Sequence, residues 1–132
     1  MEHFASTLKV NSALLSLRLT QCGIEDEGFA ILAEAVAMNS TLQDLSIFGN
    51  DAKQLAMEKM TSMMRRNTSL VQLDLSIAPE LRSSLTVRRF FEAAAQHPTL
   101  TDVDWDWDSR YERWRAEQKI QAEDENFQTS DC

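Results

Sequence analysis

The sequence predicts an α/β solenoid, a short curved arc with parallel strands on its concave side and helices on its convex side. A Leu-x-x-Leu-x-Leu pattern begins at Leu14, Leu42 and Leu70, a constant step of 28 residues. A fourth, degenerate copy begins 30 residues later, at Leu100. Between the copies, the apolar residues follow helical spacing. A constant period of this size is typical of repeat proteins, in which each unit buries its apolar face against the next.

The strands are predicted where apolar and polar residues alternate. Alternation with a period of two indicates a strand that buries one face, with Leu45 and Leu73 at the centre of two of them. Units of this length leave room only for parallel strands joined by a helix. The predicted strands lie near residues 15–19, 43–47, 71–75 and 101–105.

The helices are predicted from apolar stripes at i, i+3, i+4 and i+7. Asp51, with Gln54 three residues later, has the pattern of a capping box at the start of the second helix. The methionines of the second stripe suggest either core packing or an adaptable binding groove, and their inward spacing favours the core. The stripes are Phe29, Leu32, Ala33 and Val36; Met57, Met60, Thr61 and Met64; and Phe90, Phe91 and Ala94.

One segment carries a family resemblance. From Leu14 to Asn39 the chain reads Leu-x-x-Leu-x-Leu-x-x-Cys-x-Ile-x-x-x-Gly-x-x-x-Leu-Ala-x-x-Val-x-x-Asn. This resembles a leucine-rich repeat of the ribonuclease-inhibitor type, and the resemblance covers roughly residues 4–105. It implies a horseshoe arc and a non-catalytic role in binding another protein. The same repeat type occurs in GTPase-activating proteins for Ran and in NOD-like receptors, so a regulatory region is the alternative.

The C-terminal end of the array is predicted from a loss of the pattern. In the fourth copy, Asp108 and Arg110 occupy the positions of Cys22 and Ile24, where burial would be costly. A capping box, Ser-Arg-Tyr-Glu, then starts at Ser109. We therefore expect an arc over residues 1–108, a capping helix over 109–123 that packs through Tyr111 and Trp114, and an acidic flexible tail over 124–132.

The N-terminal end begins within a predicted helix. Phe4 and Leu8 precede Leu32 and Val36 by one period, so the strand of that unit is missing. The first strand would then have an open edge, which can pair with another chain. Self-association through this edge, or a place in a longer array, is the structural alternative to partner binding.

The charge distribution argues against nucleic acid or an anionic membrane as the partner. The net charge is −8, with 4 basic and 10 acidic side chains in residues 101–132. Both of those partners require clustered Lys and Arg. The acidic end either solubilises the chain or attracts a protein with a basic surface. The start has no secretory signal and no apolar run spans a membrane, so a cytoplasmic protein is expected.

No catalytic, cofactor or metal site is predicted, and the chain is not expected to be an enzyme. Cys22 occupies a repeat position with a structural role, which outweighs a nucleophilic one. The run Asp102-Val-Asp-Trp-Asp-Trp-Asp108 lacks the Gly and Glu that a calcium loop requires. No phosphate-binding Gly-rich loop or His-Glu metal pair is present in the sequence.

The candidate site is the concave face of the predicted sheet. Polar strand residues that alternate with the leucines align from unit to unit and become more acidic toward the C-terminus. Phe48 is the expected exposed aromatic anchor among these charges. A solvated concave face with no partner would show the same composition. The predicted partner-binding residues are Arg18, Asp44, Phe48, Asp74, Asp102, Asp104 and Asp106.

Overall fold

The computed structural model describes residues 1–105 of the 132-residue chain, apart from the side chain of Asp51. Helices and strands alternate along this part, as the repeat pattern predicts. The elements in order are α1 (Glu2–Val10), β1 (Ser16–Arg18), α2 (Asp26–Met38), β2 (Asp44–Ala52), α3 (Gln54–Arg66), β3 (Gln72–Ile77), a 3₁₀ turn (Pro79–Leu81), α4 (Leu85–Ala95) and β4 (Asp102–Asp104).

The four strands form one parallel sheet in the order β1-β2-β3-β4. Leu17 pairs with Leu45, Leu45 with Leu73 and Leu73 with Val103, so equivalent positions of the repeats lie side by side. This arrangement confirms the predicted α/β class, a short arc of the leucine-rich-repeat kind.

The core lies between the sheet and the helices. Leu45 and Leu73 are 2% and 1% exposed, and the methionines of α3 are buried with them. Met57 and Met60 have no exposed surface, which confirms core packing over a binding groove. Each helix packs on its neighbours along the chain, α1 on α2, α2 on α3 and α3 on α4. Within residues 1–105, no helix combines the length and apolar character that crossing a bilayer requires.

Strand β2 contains a bulge that the repeat pattern does not predict. Pairing with β3 runs regularly to Ile47 and resumes at Asp51, opposite consecutive residues of β3. Between them, Gly49 has φ of +84°, and a Cβ there would lie 3.2 Å from the backbone nitrogen of Gln21. Glycine is therefore required at this position.

The bulge places Asn50 beneath the turn of the preceding unit. Its Oδ1 accepts hydrogen bonds from the backbone N–H groups of Cys22 and Ile24, at 2.9 and 3.0 Å. Its Nδ2 donates to the carbonyl oxygens of Leu19 and Ile47, at 2.6 and 3.1 Å. Asn50 is 3% exposed, so these four bonds satisfy a buried amide and hold two units together.

A second set of asparagines, Asn11, Asn39 and Asn67, starts the turns before β1, β2 and β3. Each Oδ1 accepts from the backbone N–H groups two and three residues later, at 2.7 to 2.9 Å. The Nδ2 of Asn39 donates to the carbonyl oxygens of Leu8 and Asn11, and that of Asn67 to those of Val36 and Asn39. These contacts, which we call the asparagine ladder, explain why Asn recurs with the leucines.

The fourth position of the asparagine ladder is a histidine. His97 Nδ1 accepts from the backbone N–H groups of Thr99 and Leu100, at 3.2 and 3.1 Å. Its Nε2 lies 3.1 Å from Oδ1 of Asn67. His97 precedes Leu100 by three residues, as Asn67 precedes Leu70, and this offset is the sequence signal that identifies it.

The start of α3 differs from the predicted capping box. Its N-cap residue is Lys53, which makes no side-chain cap. Asp26, on α2, accepts hydrogen bonds from the backbone N–H groups of Lys53 and Leu55, at 3.3 and 3.0 Å. The capping-box prediction at Asp51 is therefore wrong, because a carboxylate of the neighbouring unit already satisfies these donors.

The two ends of the arc differ in how far they are described. At the N-terminus, Leu8 and Ala5 of α1 are buried against the core, whereas Phe4 is 37% exposed. Residues 106–132 lie outside the described part. The capping helix over 109–123 and the tail over 124–132 therefore stay predictions, as does the C-terminal boundary of the arc at residue 108.

Candidate functional site

The side chains that alternate with the buried leucines form two rows across the sheet. The first row contains Ser16, Asp44, Gln72 and Asp102, which pair in register from strand to strand. Neighbouring strands in a sheet lie about 4.8 Å apart, so consecutive members of the row are close neighbours. Ser16, Gln72 and Asp102 are exposed and Asp44 is half-buried.

The second row contains Arg18, Ser46, Asp74 and Asp104. Arg18 is exposed, and the other three are half-buried. Ser46 Oγ donates a hydrogen bond to Oδ2 of Asp74 at 3.1 Å. The structure thus brings together five of the predicted site residues, Arg18, Asp44, Asp74, Asp102 and Asp104. Asp106 lies outside the described residues.

Phe48 is not the exposed anchor that the alternation predicts. It is 3% exposed. Regular pairing with β3 stops at Ile47, where the bulge begins. Phe48 is the first residue beyond the regular pairs, and it is not part of the hydrophobic core between the sheet and the helices. The prediction of an exposed aromatic at this position is wrong.

The side-chain rows of the sheet are more acidic than helices α3 and α4. The two rows hold four acidic residues, Asp44, Asp74, Asp102 and Asp104, and one basic residue, Arg18. Helices α3 and α4 hold five basic and two acidic residues. Arg66 donates to Glu34 of α2 at 2.8 Å, and this hydrogen bond lowers the pKa of Glu34. A basic partner would therefore be attracted to the sheet more than to α3 and α4.

The last repeat has an open cleft on the outer side of α4. It has a volume of about 510 Å³, and Val87, Phe91 and Trp105 are among the residues that line it, together with Arg82 and Arg88. Trp105 occupies a repeat position that is buried in the other units, but it is 41% exposed. Its ring lies against Phe91 with centroids 5.1 Å apart. The fourth copy therefore does not bury its last apolar position as the pattern predicts.

The N-terminal edge of the sheet, at β1, is a second candidate binding surface. Within residues 1–105, β1 pairs on one side only, with β2. Val10 and Leu15 lie near this edge and are 81% and 55% exposed. Unpaired strand edges with apolar neighbours favour association with another chain.

Among residues 1–105, no group of three or more His, Cys, Asp or Glu side chains is placed to hold a metal ion. Cys22 packs at the margin of the core, and its backbone N–H is held by Asn50, as expected for a structural repeat position.

Solved structures with a similar fold include segments of leiomodin-1 and tropomodulin. Actin-binding site 2 of leiomodin-1 superposes with a TM-score of 0.70 at 14% identity, covering 90% of this chain and 78% of that one. The tropomodulin C-terminal domain of Caenorhabditis elegans gives 0.57 at 14% identity, covering 91% and 90%. No family model matches the chain, and no curated protein matches it in sequence.

These comparisons correct the family resemblance. The neighbours have a leucine-rich-repeat-like fold of the tropomodulin and leiomodin kind, and not a ribonuclease-inhibitor repeat array. The assignment to the ribonuclease-inhibitor type is therefore wrong. Its motif match came from one unit, Leu14 to Asn39, whereas the second unit bulges and the third replaces its turn with the 3₁₀ turn at Pro79–Leu81.

Proposed function

We propose that the chain is a non-catalytic protein-binding module that uses the concave face of its sheet. The observation that carries this proposal is the register of the two side-chain rows. It places Arg18, Asp44, Asp74, Asp102 and Asp104 on one contiguous surface formed by four strands. A surface built on paired strands is rigid, so a partner that binds it loses little free energy in ordering it.

The charge of this surface selects a partner with a basic patch. Asp44 and Asp102 lie in the same row, with Asp74 and Asp104 beside them in the next. Their potentials add, which increases the association rate with a cationic surface and makes that rate depend on salt. Arg18 lies at the β1 end of the surface and repels basic residues of the partner there. The orientation in which the partner's basic patch contacts the acidic end is therefore favoured.

Actin is the first partner to test. One of the two structures reported above, with a TM-score of 0.70, is described as an actin-binding site of leiomodin-1. At 14% identity, this likeness supports a shared fold, and the binding of actin by this chain is part of our proposal.

The experiment compares two double variants that each remove two negative charges. Asp44→Asn with Asp102→Asn changes the concave face, and Glu58→Gln with Glu92→Gln changes exposed positions on α3 and α4. Association with purified actin, and with proteins retained from a cell extract, is measured at low and at high salt. The concave variant should associate more slowly and lose most of the salt dependence, while the convex variant behaves like the parent.

If both double variants retain the same proteins equally well, the concave face is excluded as the binding site. If the chain binds another protein but not actin, and the concave variant binds that protein more weakly, the concave face is supported as the binding site and actin is rejected as the partner. Circular dichroism of each variant checks that the fold is retained.

We propose, on a separate observation, that the open edge of β1 supports self-association. The exposed Val10 and Leu15 beside an unpaired edge are the basis for this proposal. Sedimentation velocity over a range of concentrations should show a dimer that Leu15→Lys abolishes. Met38→Lys, which changes a residue of similar exposure at the end of α2, is the control. A parent chain that stays monomeric at every concentration would reject this proposal.

A further inference from the structure

We propose that His97 makes the last turn and strand β4 acid-labile, so that mild acidification releases them while the units held by asparagine stay folded. The proposal does not depend on what the concave face binds. It rests on the one position of the described asparagine ladder where an ionisable side chain replaces the amide.

The contacts of His97 determine its protonation state. Two backbone N–H groups, from Thr99 and Leu100, donate to Nδ1, which must therefore carry a lone pair. On the other side, Asn67 presents Oδ1, because its Nδ2 already donates to two carbonyl oxygens. Nε2 therefore carries the proton and donates to Asn67. The neutral Nε2–H tautomer is the form that fits this site.

Protonation would remove the acceptor. A proton on Nδ1 would face two N–H donors in a site where His97 is 8% exposed. Two hydrogen bonds would be lost, and a charge would be buried that no carboxylate of residues 1–105 pairs with, and both effects are unfavourable. An asparagine amide has no such alternative state, so Asn11, Asn39 and Asn67 are unaffected by pH in this range.

The charged groups of residues 1–105 do not offset this effect. Those on the neighbouring elements are exposed or half-buried, and none of them forms an ion pair with His97: Glu58, Lys59, Arg65 and Arg66 on α3, Asp74 on β3, Arg88, Arg89 and Glu92 on α4, and Asp102 and Asp104 on β4. Arg66 is paired with Glu34. Burial lowers the pKa of His97, and the hydrogen bond with Asn67 opposes this shift only in part.

The direction of the pH effect follows from this shift. In the unfolded chain, His97 titrates near its ordinary pKa of about 6.5. In the folded chain its pKa is lower, so the unfolded or locally opened state binds more protons below that pH. The stabilising contribution of neutral His97 is complete above about pH 6.5 and is lost as the pH falls toward the folded pKa.

Amide hydrogen exchange of the full chain, followed by NMR, tests the proposal. We compare protection factors between about pH 7.5 and about pH 5.5, after correction for intrinsic exchange. Protection of Thr99, Leu100 and Thr101 should fall by up to about tenfold per pH unit below 6.5. The equivalent amides of the previous unit, Ser69 and Leu70, should keep their protection.

Two variants separate His97 from other causes. His97→Asn restores the amide found elsewhere in the ladder and should make protection of the last turn independent of pH. His3→Gln, which removes the exposed histidine of α1, should leave the pH dependence unchanged. Equal loss of protection in the parent and in His97→Asn would overturn the proposal.

A direct titration covers the case in which His97→Asn folds poorly. The ¹⁵N shifts of the parent chain should show the Nε2–H tautomer of His97 at neutral pH, with a midpoint below 6.5. A midpoint at or above the ordinary histidine value, or an Nδ1–H tautomer, would contradict the assigned geometry and reject the proposal.

Discussion

At the scale of single residues, Asp26 links two units by capping the N-terminus of a helix other than its own. It lies in the first turn of α2, and its carboxylate accepts from backbone N–H groups at the start of α3. The N-terminal N–H groups of a helix have no partner within the helix, and a carboxylate there also interacts favourably with the helix dipole. The side chain of Lys53, the N-cap residue of α3, does not fulfil this role.

Asp26→Ala should lower the free energy of unfolding by about 1 kcal/mol, the usual effect of removing an N-terminal cap. Urea denaturation measures this change. Glu27→Ala is the matched control, because Glu27 lies in the same first turn of α2 and shares its dipole effect. If both variants lose the same stability, the cap between units contributes nothing measurable.

At the scale of elements, strands β2 and β3 form the centre of the arc. Leu45 and Leu73 pair with each other and with leucine or valine on either side, so their side chains fill the middle of the core. Leucine to alanine changes at buried sites cost both transfer free energy and a cavity. Neighbouring units share this core, so the loss should spread beyond the strand that is changed.

Leu45→Ala and Leu73→Ala should each cost about 2–5 kcal/mol, a large part of the stability of a small domain. Denaturant unfolding with a constant m-value measures the loss. Leu15→Ala, which changes a leucine that is 55% exposed, should cost well below either core variant. Unfolding midpoints equal to the parent for both core variants would contradict the observed register.

At the scale of the whole molecule, the arc is stabilised by contacts between neighbouring units. The sheet order follows the chain order, and each helix packs on the next. A protein built this way needs cover at both ends, because its terminal units have a neighbour on one side only. At the C-terminal side, Leu85 and Trp105 are 54% and 41% exposed.

We expect the segment over 109–123 to cover this end as a helix. Deleting residues 109–132 should lower both the thermal midpoint and the solubility, because the apolar surface around Trp105 would lose its cover. Differential scanning calorimetry and light scattering measure the two effects. Deleting residues 124–132 alone is the control and should leave the midpoint unchanged. A midpoint equal to the parent after the longer deletion would reject the capping role.

The sequence by itself determined the order of elements, the parallel sheet and most of the core. These features follow from local periodicity, since Leu45 and Leu73 repeat the same environment at a constant step. It also identified five residues of the concave face, because regular alternation gives the direction of a side chain wherever strand pairing is regular.

Only the tertiary structure decided the features that depend on contacts between different residue types in adjacent units. Phe48 is buried although the alternation predicts an exposed side chain, Asp26 caps a helix about one unit away, and His97 takes the place of an asparagine. The family assignment was wrong for a related reason, since the motif of one unit does not describe how successive units deviate from it. Periodicity describes what repeats along the chain, whereas these contacts join different residue types in adjacent units. Their partners can be identified only after the units have packed.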